Sequence, residues 1–151
     1  FSQGMNMQRF DGGRRLLLAA LAACALASAV PAWAQDPATS VAKAAALDWL
    51  VLADKHDYAA TYKAAAARFR TQITAEKWAG ALKQVQDQFG NVVDRTFVGA
   101  RAVEPKKDDP QGTFTVIGFR TDFAKRKQGV ETVTLEKEAD GKWRVVGYLM
   151  Q

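Results

Sequence analysis

The chain has 151 residues, with 21 Lys and Arg against 16 Asp and Glu, a formal charge of +5, one His, one Cys and 48% apolar residues. That length suits one domain with its own core. One cysteine excludes an intramolecular disulfide, and one cysteine with one histidine is too few soft ligands for a Cys/His zinc site.

Residues 1–34 read as a secretory signal peptide. Arg9, Arg14 and Arg15 precede an apolar run over 16–30, and Pro31-Ala32-Trp33-Ala34-Gln35 ends in a small-x-small pattern, so cleavage is expected between Ala34 and Gln35. Met5 and Met7 are candidate starts, which makes residues 1–4 a candidate artefact. Fifteen apolar residues fall short of the ~20 that span a bilayer, so no stable membrane insertion is expected once the segment is cut. A lesser route is a lipoprotein anchor at Cys24, after Leu21-Ala22-Ala23; the apolar run continuing past that cysteine weighs against it. A periplasmic or secreted location follows. Without Arg9, Arg14, Arg15 and Asp11 the charge falls from +5 to +3, and Cys24 leaves with the segment. A cysteine-free chain suits an oxidising compartment, where it cannot mispair.

Residues 35–40 read as a short polar leader, and 41–151 as a single domain. Val41, Ala45, Trp49, Leu52 and Ala53 recur at three and four, the period of an amphipathic helix over 41–53. Asp57 is placed to cap a second helix with Tyr58, Tyr62, Ala65 and Phe69 on one stripe. Thr74 caps a third, with Glu76 in its first turn, a stripe of Trp78, Leu82, Val85 and Phe89, and Gly90 at its end. The period then changes to two. Residues 92–102, 113–123, 129–137 and 142–150 are rich in Val, Thr, Phe and Tyr and separated by turn chemistry, with a charged, proline-flanked loop at 104–110 and Asp140-Gly141 as a tight hairpin. The fold class is α+β: three N-terminal helices packed on a curved antiparallel four-stranded sheet.

The raw material for catalysis is thin. After Ala34 the chain has one serine, Ser40, and no cysteine. His56 beside Asp57 has the form of an oriented base, but it sits in a short turn with no nucleophile nearby. Glycines 112, 118, 129, 141 and 147 lack the spacing of a phosphate loop, so no cofactor is implied, and no metal ligands are assigned. Lys125-Arg126-Lys127 is a basic hairpin without interleaved exposed aromatics, which argues against nucleic-acid binding. The candidate cavity polar residues are Glu131, Arg95, Arg120 and Tyr62. Glu131 alternates with Val133 and Leu135, Arg95 with Val93 and Phe97, and Arg120 with Val116 and Phe114. A carboxylate on the covered face is costly unless paired, so a Glu131–arginine ion pair and a ligand-contacting acid in a cavity are the competing readings.

The run Ala46-x-x-Trp49-Leu50-x-Leu52-x-Asp54, then Asp57-Tyr58-Ala59-Ala60-x-Tyr62 and Ala66-x-x-Phe69, resembles the opening of domain of unknown function 4019, a bacterial envelope family. Asp94-Arg95, Gly112-x-Phe114, residues 130–135 and Asp140-Gly141-x-Trp143-Arg144-Val145-x-Gly147-Tyr148 extend the resemblance through nearly all of 41–150. Tyr62 stands where the family usually has tryptophan. The resemblance implies a cone like that of nuclear-transport-factor-two-like folds, with helices covering a bent sheet; a cystatin-like arrangement is the other form the same element order allows. It implies no catalytic residues. Three functions are consistent with these features: a periplasmic binding or interaction module for a small apolar ligand or an envelope protein, a small cavity enzyme with an in-cavity carboxylate as general base, and an envelope inhibitor or escort. A homodimer is compatible with any of them.

Overall fold

The structure, a computed structural model, describes residues 36–103, 107–108 and 112–151. The signal segment and most of the loop at 104–110 lie outside the described residues. Among the described residues four helices precede four strands: α1 (Pro37–Asp54), α2 (Tyr58–Ala64), α3 (Ala67–Gln72), α4 (Ala75–Phe89), β1 (Val92–Val103), β2 (Thr113–Phe123), β3 (Gly129–Lys137) and β4 (Trp143–Met150). Every strand pairs antiparallel with its neighbour in the chain, in the order β1-β2-β3-β4. This is the expected α+β arrangement, with two corrections in the helices.

Helix α1 takes in most of the supposed leader. Asp36 accepts a hydrogen bond from Ala38 N, and Pro37 occupies the first turn, where its missing N–H costs nothing. The second helix is two helices. Ala65 and Ala66 are extended, and Ala66 N donates to Val145 O at 2.8 Å on β4. That sheet contact competes successfully with the high helix propensity of an alanine-rich run, because it satisfies backbone groups on an otherwise open edge strand. Thr74 caps α4 through Lys77 N, and Gly90 ends it at φ +78°, where a side chain would be strained.

Helix α1 lies on one face of the sheet. Ala42, Ala46, Trp49, Leu50 and Ala53 pack against Ile117, Phe119, Val133, Leu135 and Val145, all buried. The sheet is regular in β2 and irregular in its outer strands. The pairing slips between Val92 and Asp94, between Phe97 and Gly99, and between Thr134 and Leu135, where β4 holds an extra residue. Each slip is a bulge that bends the sheet and resets which side chains face the helices.

The Asp140-Gly141 turn forms as expected, with Gly141 at φ +81° and Glu138 N bonded to Lys142 O at 2.9 Å. The basic hairpin is less free than the sequence suggests. Lys125 Nζ donates to Asp87 O at 2.8 Å, capping the end of α4, and Arg126 lies over the Phe89 ring.

Candidate functional site

One polar cluster is embedded in the covered face, and it takes one residue from every strand. Glu131 on β3 is fully buried. Its carboxylate accepts from Arg95 Nε at 2.6 Å and Nη2 at 3.0 Å on β1, from Thr121 Oγ1 at 2.5 Å on β2, and from the Tyr148 hydroxyl at 2.5 Å on β4. Arg95 reaches onward to Asp54 at the end of α1, with Nη1 and Nη2 donating at 2.8 and 2.9 Å. Side-chain exposure rises along the chain from 0% at Glu131 through 12% at Arg95 to 33% at Asp54. A carboxylate this deep is stable only because four donors fill its acceptor positions.

Burial alone would push the Arg95 guanidinium down; its hydrogen bonds to Asp54 and Glu131 outweigh that and hold it above its ordinary value. Tyr148 moves well above its ordinary value, first because it is buried and then because its proton faces the Glu131 charge. Both groups therefore keep their protons at neutral pH. The cleft beside the cluster encloses about 10 Å³, room for about one water. No buried side-chain nitrogen or oxygen among the described residues lacks a hydrogen-bond partner. At the carboxylate itself the space is filled by the protein; a mostly apolar pocket of about 150 Å³, lined by Trp78, Leu82, Val85, Leu149 and Met150, reaches Tyr148 from the α4 side. Glu131 has no free lone pair with which to take a proton from a substrate, so its geometry is that of a structural ion pair.

Of the candidate residues, the structure brings Glu131 and Arg95 together and leaves the other two elsewhere. Arg120 is exposed on the opposite face of the sheet, because the odd positions of β2 (Ile117, Phe119, Thr121, Phe123) are the buried ones. Its alternation with Val116 and Phe114 was real, but those residues also belong to the outer face. Tyr62 does not approach Glu131. Its hydroxyl donates to Ile73 O at 2.9 Å and lies 3.2 Å from Arg70 O, which ties α2 to the end of α3. His56 is not oriented by Asp57, whose carboxylate caps α2 through Ala60 N. Gln86 Nε2 donates to Ala53 O at 2.8 Å, which turns its Oε1 to accept from His56 Nδ1 at 2.9 Å. The imidazole links the α1–α2 turn to α4.

Asp54, Thr121 and Tyr148 were missed. Thr121 was legible, since it shares parity with the buried positions of β2. Tyr148 was not. Val145 faces the helices, and strict alternation would send Gly147 and Leu149 after it; the extra residue opposite Thr134 and Leu135 brings Tyr148 inward instead, opposite Val133.

A second feature lies outside the cluster. An open groove of about 490 Å³ runs between α1 and the β3–β4 hairpin. Ala45, Trp49 and Leu52 form one wall, and Trp143 and Val145 the other. Asp48, Lys142 and Arg144 are the charged residues of its lining. Among the described residues, no group of His, Cys, Asp and Glu is arranged to hold a metal ion, and no helix is long and apolar enough to cross a membrane.

A four-stranded meander under an N-terminal helical layer, stitched by a saturated buried ion cluster and grooved on its flank, defines a small α+β domain. The chain belongs to the family described as protein of unknown function (DUF4019), whose model matches residues 45–148. No curated protein matches its sequence.

Proposed function

We propose that the protein is an exported, non-catalytic binding module of the bacterial envelope that uses the groove between α1 and the β3–β4 hairpin. The observation that carries this reading is the groove's apolar lining, with Trp49 and Trp143 on facing walls, and its volume of about 490 Å³ against about 150 Å³ for the pocket between α4 and the end of β4. The groove's volume falls in the range of small-molecule sites, and its composition, apolar with few polar groups, is the usual one. The export step rests on the basic, apolar and small-residue order of residues 1–34. The occupant is a small apolar molecule or an apolar segment of an envelope protein.

Native mass spectrometry on protein purified from its own periplasm tests this, with Trp143→Ala prepared in parallel. Trp143 is only half-buried and sits at the hairpin, so its truncation should remove groove surface without unfolding the core. A co-purifying apolar molecule or a stoichiometric protein, lost in Trp143→Ala, supports the reading. Protein that arrives bare, or a companion retained by Trp143→Ala, sinks it. Recovery of uncleaved chain in the cytoplasm sinks the export step separately.

A further inference from the structure

Strand β1 is an edge of the sheet, twelve residues long. An uncovered edge of this length is a template for another strand unless something blunts it. Its apolar side chains are open: Val93 is 63% exposed and Val98 62%. Two of its charges are also without partners. Asp94 faces Asp122 directly across the β1–β2 ladder, a like-charge pair that costs free energy, and Asp94 forms no ion pair among the described residues, although Arg120 stands diagonally across on the same face. Arg101 is exposed, with no anion against it among the described residues.

The bulge at Val98 gives these two charges a geometric relation. Asp94 and Arg101 are seven residues apart, an odd separation, which in a regular strand would put them on opposite faces. The slip between Phe97 and Gly99 removes that difference. Asp94 pairs with Asp122 and Arg101 with Val116, both even positions of the unbroken strand β2, so both charges stand on the outer face. A two-fold axis beside Phe97 and Val98, relating β1 to an antiparallel copy of itself, sets Asp94 of each copy opposite Arg101 of the other. It brings each Arg101 to the carboxylate pair of Asp94 and Asp122 and places Val98 at the centre.

We propose that a second copy of this chain docks edge to edge on β1, making one continuous eight-stranded antiparallel sheet with an isologous contact held by reciprocal Asp94–Arg101 pairs. The contact is independent of the groove and leaves it open. The bulge, which would ordinarily spoil an edge, brings the complementary charges onto one face.

Sedimentation velocity over a concentration series tests this on the purified protein. Wild type should pass from monomer to dimer. Arg101→Asp sets like charges against each other at both ends of the contact and should weaken the dimer roughly tenfold or more. Combining Asp94→Arg with Arg101→Asp restores opposite charges across the two-fold and should return the dissociation constant to within a few-fold of wild type. Both positions are exposed, so circular dichroism should show unchanged folds. A wild type that stays monomeric throughout overturns the proposal. So does a dimer indifferent to Arg101→Asp, or one weakened by it and not rescued by the second substitution.

Discussion

Glu131 shows what a single buried charge requires. Its carboxylate stays in the core because Arg95, Thr121 and Tyr148 converge on it from three different strands. Removing one partner of such a pair leaves the other uncompensated, at a cost of about 3–5 kcal/mol. Glu131→Gln keeps the shape and removes the charge, and its melting temperature should fall by roughly 10–20 °C in calorimetry. Tyr148 gives the cluster a pH dependence at the alkaline end. Its proton is held more tightly in the folded chain than in the unfolded one, whose ordinary value is 10.0. Its contribution is therefore complete below pH 10.0 and is lost as pH rises toward the folded value. Tyr148→Phe should remove that alkaline slope from a series of denaturation curves while lowering neutral stability by about 1.5–3 kcal/mol, the worth of a hydrogen bond to a charge. At the opposite end, the Arg144 side chain and Lys142 N hold Asp140 down to about 2 from 3.8. Its small contribution is present above the unfolded value and is lost as pH falls through the folded one. An NMR titration of the Asp140 carboxyl should place its midpoint near the lower value, and Arg144→Ala should return it toward 3.8.

At the scale of elements, a threonine and a glycine set how the helices meet. Thr61 is fully buried in α2; its hydroxyl donates to Tyr58 O and accepts from Trp78 Nε1 at 3.0 Å, while its carbonyl accepts from Trp49 Nε1 at 3.0 Å. Three helices share that one residue. Thr61→Val keeps the volume but leaves the Trp78 indole N–H unpaired in the core, so urea unfolding should show a loss of about 1–3 kcal/mol. Gly90 sits at φ +78°, and an added Cβ would come within 3.1 Å of Ala124 Cβ and Lys125 N. The glycine's ψ of −177° puts it in a region kept almost entirely by glycine, so Gly90→Ala should cost about 1–3 kcal/mol, read as a shift of the same urea midpoint. The helices and strands themselves were legible because their periods, 3.6 and 2, are written in the order of apolar residues. The break at Ala65 and Ala66 was not, since alanine carries no pattern and the decision rests with a carbonyl on β4, far away in the chain.

For the molecule as a whole, helix α1 packs across the sheet while the charge cluster ties its last turn to all four strands. Helical and sheet signals should therefore be lost together: far-ultraviolet circular dichroism and tryptophan fluorescence should give coincident denaturation curves, with Trp49 and Trp78 reporting from the shared core. Sequence alone determined the α+β class, the order of helices before strands, the hairpin at Asp140-Gly141, the family, and the need of Glu131 for an arginine. Those features are local, or follow from the cost of burying a charge. The tertiary structure decided which arginine answers, that a tyrosine three residues beyond Val145 completes the cluster, and that the space at Glu131 is closed while the flank is grooved. Single-residue bulges in β1 and β4 reverse the facing of everything beyond them, and a bulge depends on the neighbouring strand rather than on the residues that form it.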